Sequence, residues 1–68
     1  MNIFLLDYEM KRRGYTRETL AKAIGVSRSA FYRKCNGKSE FTLAEIKAIA
    51  ATLELENVSD IFFTDKVS

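Results

Sequence analysis

The three residues Gly25-Val26-Ser27 constrain this sequence more than any other stretch. Just before them, Leu20, Ala21 and Ile24 fall at i, i+1 and i+4, giving one helix an apolar face. Gly25 stands where a helix end takes up a left-handed backbone. Val26 returns to the core, and Ser27 offers a side-chain oxygen to the free N–H groups of a second helix. With so short a connection the second helix crosses the first steeply instead of folding back along it. The small Ala21 lets the two approach closely.

The second helix, over 28–36, has two faces. Phe31 and Cys35 point inward with Val26, while Ser29, Tyr32, Arg33 and Asn36 fall at i, i+3, i+4 and i+7 on the opposite side. Arg28 sits at the N-terminal edge of that polar stripe, and Gly37 ends the helix. The bland alternative for such a stripe is a solvated surface. Against it stands the composition of the face, which carries no acid. Residues of about 16–36 therefore read as a helix-turn-helix whose second helix faces a nucleic acid.

Charge distribution supports this. From Lys11 to Lys38 there are nine basic residues (Lys11, Arg12, Arg13, Arg17, Lys22, Arg28, Arg33, Lys34, Lys38) and one acid, Glu18, a net +8. The rest of the chain has Lys47 and Lys66 against eight acids, a net −6, so the total of +2 conceals a dipolar molecule suited to presenting one side to a polyanion.

At 68 residues the chain is read as one domain over 1–68. No histidine and one cysteine leave no metal-ligand set and no internal disulfide. Cys35 is either a reactive thiol or a small core residue, and its place on the inner face favours the core. The apolar run at 3–6 is too short for a secretory leader or a membrane span, so the expected location is cytoplasmic. No nucleophile–base pair, phosphate loop or cofactor motif is present, which excludes an enzyme and a small-molecule substrate from the reading.

Taken in order, a first helix runs from residue 2 or 3 to about 13, with Ile3, Leu6 and Met10 on one face. Asp7 and Glu9 fall toward its start, Lys11, Arg12 and Arg13 in its last turn, and Gly14 stops it. Those three cations complement the helix dipole and also suit a phosphate. Thr16 caps the second helix. Tyr15 with Leu20, Val26 with Phe31, and Phe41 with Ile46 form three hydrophobic staples, and Thr42 with Glu45 is a capping box. The fourth helix, to about residue 53 or 54, has Leu43, Ile46, Ile49, Ala50 and Leu53 as its core face. A short fifth helix or turn spans 56–63, and 64–68 is expected to fray. The fold class expected is all-α, a compact bundle of about five short helices.

These residues resemble the lambda repressor-like, Cro/repressor-type helix-turn-helix (XRE type). The likeness extends from about Leu6 to Phe63 and centres on TRETLAxxIGVSRSxF, starting at Thr16, with Asn36-Gly37-Lys38 after it. Ala21, Gly25 and Phe31 match the small residue, the turn glycine and the buried apolar position. The sequence from Phe31 to Phe41 looks nearest to short phage or prophage regulators of this class. Two departures stand out. Arg17 replaces the glutamine that many members carry at the start of the second helix, and Lys34 replaces a common apolar residue, leaving Cys35 to pack.

The resemblance implies sequence-specific binding of a double-stranded DNA operator by a transcriptional regulator, with the helix over 28–36 in the major groove. Arg28 and Ser29 occupy the matching base-reading positions. Tyr32 and Arg33, further along the stripe, either read bases or grip the backbone. Arg17, Asn36 and Lys38 hold phosphates, and Ser27 is mainly a cap beside them. A homodimer on a pseudo-palindrome is expected. The rival reading is a protein-interaction module of the same fold, such as an antitoxin or antirepressor partner, and it predicts an acidic or apolar recognition face instead.

Overall fold

The computed structural model describes residues 1–63, and these form five helices with no strand among them. The first, α1, spans Ile3–Arg12 and is opened by Asn2, whose Oδ1 accepts the Leu5 N–H at 3.1 Å. The second and third, α2 (Arg17–Ile24) and α3 (Arg28–Cys35), are the two arms of the turn at Gly25. The fourth and fifth are α4 (Leu43–Leu53) and α5 (Val58–Phe62).

The starts are polar-capped as the serine and threonines predict. Thr16 accepts from Thr19 N–H, Ser27 from Ala30 N–H and Thr42 from Glu45 N–H, each between 3.1 and 3.2 Å. The Thr16 box is closed by Thr19, whose hydroxyl accepts the Thr16 N–H at 2.8 Å, and the Thr42 box by Glu45.

The helix stops share one geometry. At Gly25 (φ 76°) the glycine N–H donates to Lys22 and the Val26 N–H to Ala21, satisfying two carbonyls that the helix leaves open. The same pair of bonds ends α1 at Gly14 and α3 at Gly37. At the end of α4 the left-handed position belongs to Glu54 (φ 54°), with Leu55 N–H donating to Ala50.

The core runs through every helix: Leu6 and Met10, Leu20 and Ala21, Phe31 and Cys35, Ile46, Ile49 and Leu53, Ile61 and Phe62. Complete burial of a leucine or phenylalanine contributes about 1.5–3 kcal/mol, and Leu6, Leu20, Phe31, Ile49, Leu53 and Ile61 are all in that state. Tyr15, Val26 and Phe41, the leading residues of the three expected staples, are packed against the core that contains Leu20, Phe31 and Ile46. Phe41 meets Phe31 and Phe62 edge-on, with ring centroids 5.5 and 5.7 Å apart. Helix α2 packs on both α3 and α4, and α5 on α1 and α4. The Asn2 N–H donates to the Ile61 carbonyl at 2.6 Å, joining the start of the chain to α5.

Three expectations change. Leu43 does not join the core face of α4 but is 63% exposed, while Phe41, just ahead of that helix, packs against the core. The first turn of α1 holds no acid, since the helix begins at Ile3. Asp7 and Glu9 sit further in, and Glu9 is buried, 3.8 Å from Arg12. The fifth helix is shorter than 56–63, and Phe63 lies beyond it, partly exposed. The expected fraying of 64–68 lies outside the described residues.

Candidate nucleic-acid interface

The interface is built on α3, which the bundle holds by its inner face and leaves open along its outer one. Phe31 (0% exposed) and Cys35 (6%) anchor it. Burial pushes the Cys35 thiol above its ordinary pKa, which fits a packing residue rather than a reactive thiol. On the other side Arg28, Ser29, Arg33 and Asn36 are exposed, so the stripe predicted from spacing faces solvent. From Arg28 to Asn36 it extends about 12 Å along the axis at 1.5 Å per residue. Lys38 is exposed just past the stop, where its N–H donates to the Arg33 carbonyl at 3.0 Å.

Tyr32, 37% exposed, lies on the same outer side. The Arg17 guanidinium lies 5.4 Å and the Arg28 guanidinium 5.7 Å from its ring centroid, so two cations bear on one aromatic ring. Arg17, Arg28 and Tyr32 are thereby brought together at the junction of α2 and α3. Arg17 also makes two bonds to Asp7 of α1: Nε donates to Oδ1 at 3.3 Å and Nη2 to Oδ2 at 2.9 Å. The hydrogen bond to Asp7 raises the guanidinium pKa further above its ordinary value, so the charge is permanent. Ser27, by contrast, uses its Oγ on the Ala30 N–H.

Ion pairing sorts the cations of the basic segment. Arg12 pairs with Glu9, Arg13 with Glu54, Arg17 with Asp7 and Lys34 with Glu45, at 3.8, 3.3, 2.9 and 2.7 Å. All four acids lie outside the segment from Lys11 to Lys38. Lys11, Lys22, Arg28, Arg33 and Lys38 have no carboxylate partner among the described residues. Three of those five belong to α3 or its stop, so the positive potential that survives folding is concentrated there.

Sequence reasoning missed Asp7 and Glu45 as supports of the interface. Glu45 was legible only as a capping acid. Its Oε1 accepts both the Thr42 N–H and Lys34 Nζ, and it thereby ties α3 to α4. Nothing in the spacing of Asp7 pointed to Arg17. Among the described residues no cluster of His, Cys, Asp and Glu suits a metal ion, and no helix is long and apolar enough to cross a membrane.

A short helix, a glycine turn and a second helix that presents exposed cations to solvent from an apolar bundle define a helix-turn-helix DNA-binding protein. More narrowly, the chain belongs to the Cro/C1-type HTH DNA-binding domain family, whose family model matches residues 6–66. Comparison with curated proteins and with solved structures gives no match.

Proposed function

We propose that this chain is a sequence-specific, double-stranded DNA-binding transcriptional regulator, Cro-like or repressor-like, of the kind found in phages and prophages. It acts as a single domain in the cytoplasm and carries out no catalysis. The observation that supports this most is the sorting of charge: four cations of the basic segment are paired with carboxylates, whereas Arg28 and Arg33 of α3 and Lys38 just past it have no carboxylate partner among the described residues.

In this reading α3 enters the major groove with its N-terminal turn against the base edges. Arg28 makes paired bonds to guanine O6 and N7, Ser29 contacts the adjacent base, and Arg33 and Tyr32 extend the contact along the groove. Lys38 and Asn36 hold phosphates at one end. At the other, Arg17 holds one through Nη1, the nitrogen that Asp7 does not engage. The first amides of α2 and the Ser27 cap adjoin that end. A single copy makes few contacts, so two copies bind a pseudo-palindrome with half-sites about one helical turn apart.

Selection from random duplexes followed by sequencing of the enriched pool tests this. The expected result is one enriched half-site, repeated with two-fold symmetry. A pool that stays random, together with a gel shift on bulk DNA that is lost at moderate salt, would overturn sequence-specific regulation and favour a protein-binding module.

A further inference from the structure

We propose that Asp7 of α1 is a positioning residue for sequence readout, acting on the recognition helix through Arg17 and Tyr32. This rests on the reading of α3 as the DNA-reading helix.

The argument starts from the Arg17 guanidinium. Two bonds to one carboxylate fix the plane of that group, whereas a single bond would leave it free to swing. Both partners are partly withdrawn from water, with side-chain exposures of 25% for Arg17 and 34% for Asp7. The pair is therefore less screened than one in open solvent. The plane so fixed lies 5.4 Å from the Tyr32 centroid. Tyr32 in turn has the Arg28 guanidinium at 5.7 Å. Asp7, Arg17, Tyr32 and Arg28 thus form one continuous series from α1 to the leading base reader on α3.

Removing Asp7 frees the Arg17 plane to follow the nearest phosphate, and Tyr32 loses the surface that holds its ring. Arg28 then samples rotamers that do not reach a guanine edge. A preorganised side chain discriminates between bases because it does not have to be ordered on binding. Loss of that order costs specific binding and leaves the phosphate-driven part of the affinity in place, since no cation has been removed.

The test uses the whole chain, the duplex enriched by selection, and a scrambled duplex of equal length at one salt concentration. Asp7→Asn is expected to lower the ratio of the two affinities by about three- to tenfold, the size of coupling through one contact. Affinity for the scrambled duplex should stay level or rise slightly, because a negative charge is gone. Asp7→Glu, which keeps the charge and both oxygens, should recover part of the ratio. Arg17→Lys is a second arm: it keeps the cation but not the flat plate, and the ratio should fall by a similar factor.

Either variant that folds with wild-type melting and a wild-type ratio overturns the proposal. Equal loss on both duplexes with a lowered melting temperature overturns it too, since Asp7 would then be only structural. If the wild-type chain itself prefers no duplex, the reading of α3 fails first and takes this inference with it. A wild-type preference that survives in Asp7→Asn defeats the inference alone.

Discussion

Lys34 Nζ lies 2.7 Å from Glu45 Oε1, an ion pair that spans the gap between α3 and α4. Lys34 stands 5.8 Å from the Phe41 ring as well. A lysine is accommodated at this half-buried position because its ammonium finds both a carboxylate and the face of an aromatic ring. The same Glu45 oxygen closes the α4 capping box, so one carboxylate serves a local and a tertiary role.

Glu45→Gln keeps an oxygen for the Thr42 N–H but removes the charge opposite Lys34. We expect a loss of about 1 kcal/mol, a fall in melting temperature of about 4–8 °C for a chain of this size. Circular dichroism melting checks it. No change would mean that the bridge contributes nothing in solution.

The same pair makes stability depend on pH. The Lys34 hydrogen bond holds the Glu45 carboxyl below its ordinary pKa, with the Thr42 amide adding to the effect. The folded chain therefore binds fewer protons there than the unfolded chain does. This contribution is complete above the ordinary glutamate range and is lost as pH falls through the lowered folded value. Melting curves from neutral pH into acid should show wild type and Glu45→Gln converging at the acid end. Curves that stay parallel would refute the linkage.

Arg28→Ala should cost about 1–3 kcal/mol on the preferred duplex and relax discrimination at one base position. Competition binding against single-base variants of the selected site reads this directly. An unaltered preference profile would remove Arg28 from the base readers.

Lys38→Ala should weaken binding to every duplex alike and reduce the slope of log affinity against log salt by about one unit. Fluorescence anisotropy over a salt series is the measurement. A loss confined to one sequence would reassign Lys38 from phosphate to base.

Glu54→Gly should stabilise the fold. Glu54 occupies a left-handed stop that glycine fills at the other three sites, and a side chain there costs about 1 kcal/mol. The bond it forfeits, to Arg13 at 3.3 Å, belongs to a side chain 77% exposed and is heavily screened. A raised melting temperature is expected, and a lowered one would show that Arg13 relies on this partner.

The sequence by itself determined where the helices begin and turn. Thr16, Ser27 and Thr42 are caps, and Gly14, Gly25 and Gly37 are stops, by interactions that reach no more than five residues along the chain. The outward stripe of Ser29, Arg33 and Asn36 was legible for the same reason, since helical periodicity alone separates it from Phe31 and Cys35. Leu43 was misjudged because periodicity marks a face and cannot tell how far along the helix its neighbours cover that face. What only the tertiary structure decided is which cations keep their charge for a ligand. Arg17 meets Asp7 across 10 positions, Lys34 meets Glu45 across 11 and Arg13 meets Glu54 across 41. Coulomb attraction acts through space, and only the packing of α1 to α4 brings those acids within reach of those bases.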